Sequence, residues 1–93
     1  MNGKYRWKIV KDHIGGGSEG TEGPANAPDE DLLDEPNYEE EDFRLLDDDE
    51  IVYYTGRIWG DYDGFEPLDE FGSPNAGAVA IQYKDDKGEW GYL

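Results

Sequence analysis

Between Asp29 and Glu50 the chain places thirteen carboxylates and one base, Arg44, in twenty-two residues. The acids are Asp29, Glu30, Asp31, Asp34, Glu35, Glu39, Glu40, Glu41, Asp42, Asp47, Asp48, Asp49 and Glu50, with Tyr38 among them. Side chains of this type suit three kinds of chemistry. Oxygen ligands hold hard cations such as calcium. Paired carboxylates act as general acid and base on glycosidic bonds. A dense array of fixed negative charge competes with phosphate for a basic surface.

Calcium has a second candidate group in Asp61, Asp63, Glu66, Asp69 and Glu70. EF-hand spacing needs ligands at positions 1, 3 and 5, Gly at 6 and Glu at 12. From Asp61 those later positions hold Phe65, Glu66 and Gly72. From Asp47 the fifth and sixth positions are Ile51 and Val52. Neither run fits, which leaves an irregular, weak calcium site as the expectation for this class. Zinc is not expected: the chain has no Cys, and His13 is its one histidine. Ser18 and Ser73 are the only serines, and neither lies in a nucleophile-elbow pattern. A short chain offers little room for a sugar cleft. The residue list therefore predicts a protein that is not an enzyme and uses no cofactor.

The third chemistry is the favoured one, and its geometry sets a condition. Fully extended, residues 29–50 span about 73 Å at roughly 3.3 Å per residue, or one net charge per about 6 Å. Duplex DNA carries one per roughly 1.7 Å. An extended run is too dilute to imitate DNA, so the carboxylates must be folded together onto one face. Acidic inhibitors of the anti-restriction, anti-CRISPR and nuclease-immunity types are similar in size and charge. That resemblance implies a non-enzymatic partner-binding protein whose target is a basic, nucleic-acid-binding protein. Asp29 to Glu50 would form its contact, with Tyr38 as an aromatic anchor.

The whole-chain charge agrees. Twenty-four acids against eight bases give a formal net charge of −16 over 93 residues. That repels nucleic acid and anionic membranes directly and favours cationic partners. The competing expectation is a small acidic β-domain of a salt-adapted or ordinary cell, in which acidity only maintains solubility. No secretory or membrane-spanning pattern is legible, so the expected compartment is the cytoplasm.

The elements that must position these groups are mostly strands. Residues 4–10 alternate, with Tyr5, Trp7 and Ile9 on one face and Lys4, Arg6 and Lys8 on the other. The basic face is expected to meet carboxylates on a neighbouring strand. Residues 15–31 read as a Gly/Pro-rich loop, and 15–41 as a long flexible or binding excursion within a single domain, 1–93. Residues 29–36 predict a helical turn capped by Asp29 and stopped by Pro36.

Residues 43–46 and 51–59 predict strands joined at a hairpin tip, 47–50. The second of them carries apolar groups on both faces: Ile51, Tyr53 and Trp59 against Val52, Tyr54 and Ile58. That predicts a central strand covered on both sides, with a bulge at Gly56. Pro67 and Gly72 bracket a short helix, 67–71. Residues 78–84 predict a strand with Val79, Ile81 and Tyr83 on one face. A turn at 85–88 then leads to a last strand, 89–93. The fold class is mainly β: about five mostly antiparallel strands with one or two short helical turns.

Overall fold

A computed structural model describes residues 5–24, 39–60 and 62–93. They form one antiparallel sheet of six strands: β1 (Tyr5–Asp12), β2 (Glu22–Gly23), β3 (Glu39–Leu46), β4 (Val52–Gly60), β5 (Ala80–Lys84) and β6 (Trp90–Tyr92). The spatial order is β2-β1-β4-β3-β5-β6. The turn expected at 29–36 lies outside the described residues, as do Tyr38 and Asp61.

The core sits on one face. Trp7 and Ile9 of β1, Phe43 and Leu45 of β3, Tyr54 and Ile58 of β4 and Ile81 of β5 are buried there. Period-two alternation in each strand delivers these residues to the same side. Leu68, Phe71 and Ala78 cover them from the connection between β4 and β5. Phe71 meets Tyr54 edge-on, with centroids 4.9 Å apart, and is tilted against Trp7 at 5.5 Å. Edge-on aromatic contacts of this kind add to simple area burial.

Several local expectations are corrected. A sixth strand, β2, comes from inside the stretch read as loop. Two residues, one of them glycine, carry no strand signal. Gly23 pairs with Trp7, and a Cβ there would stand 2.3 Å from the indole. β3 starts four residues early, at Glu39. Glu–Glu–Glu–Asp is a poor strand sequence, but pairing along β4 overrides propensity.

β4 is central, as its composition requires, but its second face is covered only in part, at Trp59, which is 8% exposed. Tyr54 and Ile58 face the core, whereas Arg57 on the other face is about half exposed. Gly56 marks no bulge of its own. The register shifts opposite it, between Ile9 and Lys11, so Val10 is the extra residue. A second shift, between Leu45 and Leu46, leaves Tyr53 as the extra residue of β4.

The helical connection is longer than residues 67–71. A π-helical turn, Leu68–Gly72, continues into α1 (Ser73–Ala76) and ends at Gly77, whose φ of 69° is left-handed. Gly72 does not stop the helix, because its φ of −61° is helical. Its lack of a side chain lets the helix approach Leu45, whose Cδ1 a Cβ would meet at 2.8 Å. β5 starts at Ala80, and Val79 is 60% exposed instead of joining Ile81.

Candidate functional site

Cross-strand pairing puts directly opposed residues on one face. The pairs Arg6–Trp59, Lys8–Arg57, Lys11–Thr55, Asp42–Arg57, Arg44–Gln82 and Lys84–Trp90 therefore share the face away from the core. Six of the chain's eight bases lie on that face. Much of this charge is already engaged. Arg6 Nε donates to Glu22 at 2.8 Å, as the alternation in β1 predicts. Arg57 pairs with Glu40 and, at 3.0 Å, with Asp42. Arg44 Nε donates to Gln82 at 2.6 Å and lies 4.5 Å above the Trp90 ring. The open face is thus a mosaic of opposite charges with Trp59 and Trp90 set into it.

The carboxylates gather at the rim of the sheet. Glu40 and Asp42 face the open side, while Glu41 points to the core side and accepts the Tyr62 hydroxyl at 2.7 Å. Glu40, Glu41 and Asp42 then meet Asp85 and Asp86 across a groove of about 470 Å³, which Arg57 and Lys84 also line. Five acids against two bases leave it net negative. Glu39 enters the same strand, opposite Gly60. Asp85 and Asp86 have no part in the sequence-based candidate set. The sequence marks them only as turn residues, although a hairpin turn must lie beside whatever its strands flank.

Asp47, Asp48, Asp49 and Glu50 form the β3–β4 tip, as expected. They are not free in equal measure. Asp47 Oδ1 accepts the backbone N–H of Asp49 at 2.8 Å and of Ile51 at 2.9 Å. Glu50 has a φ of 65° and accepts the Tyr92 hydroxyl at 2.8 Å. Asp48 and Asp49 are exposed. The thirteen acids therefore separate into the four of the tip, the three of the groove, Glu39 at the start of β3, and Asp29, Glu30, Asp31, Asp34 and Glu35, which lie outside the described residues.

The second acidic loop does structural work. Glu66 accepts the backbone N–H groups of Asp63 and Gly64, both at 2.7 Å. Glu70 accepts the Tyr5 hydroxyl and, at 2.9 Å, the Trp7 indole N–H. These bonds occupy two of the five loop carboxylates considered for calcium. Among the described residues, the trio whose ligand oxygens lie within 4.8 Å of one another is instead Asp47, Asp48 and Asp49. His13 is exposed and bonds Thr55 Oγ1 at 2.6 Å.

Titration follows from these contacts. Backbone N–H groups of Ser18 and Ile14, both 2.9 Å from the Asp12 carboxylate, hold that acid below its ordinary range. Burial pushes Tyr5 upward, and the Glu70 carboxylate adds to the effect. Burial also raises Tyr83, helped by Glu66 and Glu41. Tyr92 is raised chiefly by its bond to Glu50.

A neutral phenol is thus favoured in the fold. Its stabilisation is complete below the unfolded value, roughly 10, and is lost as pH rises past it. Melting temperature should hold between pH 8 and 9.5 and fall steeply above about 10. Tyr5→Phe should flatten the fall, and an unchanged slope would remove Tyr5 from the cause.

No protein-family model, curated protein or solved structure matches this chain. The candidate site therefore rests on its own geometry. No helix among the described residues is long and apolar enough to cross a membrane.

Proposed function

We propose that this protein is a non-enzymatic acidic binding module that captures a basic, nucleic-acid-binding protein by presenting carboxylates where phosphates would bind. The observation that supports it most is the excess of acid in one groove. Glu40, Glu41, Asp42, Asp85 and Asp86 converge there against Arg57 and Lys84, and Arg57 is already paired with Glu40 and Asp42. Asp48 and Asp49 extend the acidic rim at the other end of β3. Folding sets Asp85 and Asp86, from outside the acidic run, opposite Glu40, Glu41 and Asp42 and so raises the charge density at this one place. In this reading the partner is steered electrostatically, and its own phosphate-binding residues supply the contacts. Direct contact with nucleic acid plays no part, and the cytoplasm is the proposed site of action.

Immobilised protein should retain basic nucleic-acid-binding proteins from a lysate at low salt and release them along a salt gradient. Asp85→Lys with Asp86→Lys should slow association by about tenfold or more and flatten its salt dependence. Asp48→Lys with Asp49→Lys measures the share of the tip. If no basic protein is retained at low salt, the proposal fails.

The calcium reading keeps one specific observation, the Asp47, Asp48, Asp49 trio. A ligand that binds only the folded state raises the melting temperature. An unchanged melt at millimolar calcium ends that reading. Poor folding at low salt with recovery in molar salt would favour salt adaptation instead.

A further inference from the structure

β4 pairs with β3 along its whole length, from Glu39 opposite Gly60 to Leu46 opposite Val52. On the other side β5 pairs only with Phe43 to Leu46. Among the described residues, no strand pairs with residues 39–42 on that side. The backbone there is not turned inward. Val79 donates to Leu46 O at 2.9 Å on the β5 side, and strand alternation gives Arg44, Asp42 and Glu40 the same backbone direction. The N–H and C=O groups of Glu40 therefore point into the acidic groove, whereas Asp42 lies opposite Lys84, the last residue of β5, and its C=O is taken by the bond that closes the Phe43–Tyr83 pair.

β5 does not close this gap. After Lys84 it enters a turn held by Asp85 N–H to Glu89 O, 2.8 Å, and Gly88 N–H to Asp85 O, 3.0 Å. The turn walls the groove on its far side, leaving about 470 Å³ between. Four residues of strand edge are about 14 Å long, enough for a short guest strand. An unpaired edge is a template for main-chain hydrogen bonding, and proteins blunt such edges with charge. Here the charge selects. Five acids against Arg57 and Lys84 leave the groove net negative, which repels a second copy of a chain that carries −16 and attracts a cationic strand. On the core side, Tyr62 and Tyr83 stack with centroids 6.3 Å apart beside Glu41, offering an apolar bed for alternate side chains.

We propose that the outer edge of β3 at Glu39–Asp42 receives an extended basic segment of a partner protein as an added strand. The segment would alternate lysine or arginine with aliphatic residues. This rests on the acidic-binding reading and names the form of the ligand: backbone bonds to Glu40 supply the register, and the groove carboxylates supply the charge match.

A fluorescent eight-residue peptide alternating Lys and Val, and the same peptide with methylated backbone nitrogens, have equal charge and separate the two contributions. The full-length protein should bind the first at low salt and bind the methylated form at least tenfold more weakly. Glu40→Pro removes an edge donor, and Pro is tolerated where the N–H faces outward from an edge. It should weaken binding of the unmethylated peptide more than Glu40→Gln, which removes only charge. Should Glu40→Pro fail to fold, the methylation comparison decides alone. Equal affinity for the two peptides overturns strand addition while leaving an acidic binding protein. Retention of neither peptide overturns both.

Discussion

Gly56→Ala is expected to lower the melting temperature by on the order of 15 °C, because the added methyl group meets backbone on one side and a buried ring on the other. Its Cβ would lie 2.3 Å from Lys8 O and 2.5 Å from Phe43 Cζ. A long surface side chain can swing away from such a contact, but the Lys8 carbonyl belongs to the β1–β4 ladder. Phe43 is completely buried and has no open space to move into. Overpacking costs typically 1–3 kcal/mol, and a clash on two sides belongs at the upper end. In a domain of this size each kilocalorie per mole shifts the midpoint by roughly 4–8 °C. The double variant Gly56→Ala with Phe43→Leu should recover part of the loss, since only the ring contact is relieved. A Gly56→Ala melt within a few degrees of wild type would show that β1 and β4 have slack at this pair, contrary to the register described.

Trp7→Ala should cost about 3–5 kcal/mol, the range for truncating a buried aromatic. That is a large share of the roughly 5–14 kcal/mol available to a domain of this length. Trp7 is 4% exposed and joins three parts of the molecule. Its ring lies over Gly23 of β2, it packs against Phe71 of the helical connection, and its indole N–H reaches Glu70 at 2.9 Å. Losing it removes the cover over β2 and one anchor of the helix together. Glu70→Gln should cost only about 1 kcal/mol, because an amide oxygen still accepts from Trp7 or Tyr5. Urea midpoints for the two variants test the ordering. Were Glu70→Gln the more damaging, the carboxylate charge would outweigh the packing, and the description of Trp7 as the link between layers would be wrong.

These two positions also show how far the sequence could be read. Alternation in residues 4–10 predicts Trp7 and Ile9 inside and Arg6 and Lys8 outside, and the structure agrees because period-two geometry is a property of the strand alone. The hairpin tip at 47–50 and the turn at 85–88, where Gly88 has a φ of 80°, are equally legible, since each depends on a few neighbouring residues. Gly56 and Gly72 play roles that local sequence does not signal. One resembled a bulge and the other a helix stop, but each is a point of close approach to residues distant in the chain. Nothing local to a glycine announces that contact. β2 was missed for a related reason: two residues gain their strand conformation only from Trp7 and Lys8 opposite them.

The candidate site divides along the same line. Composition alone determined the net charge of −16 and the lack of thiol chemistry, because charge and functional groups travel with the residues wherever they fold. It also determined a mainly β architecture, through strand periodicity and turn residues. Only the tertiary structure decided which carboxylates share a surface. β3 beginning at Glu39 turned a run of loop acids into alternating strand residues. Pairing with β4 then set Glu40 and Asp42 against Arg57, and the early end of β5 left Asp85 and Asp86 facing them across the groove. Register and strand length are set by long-range pairing between segments far apart in the chain, and the acidic groove exists because of both.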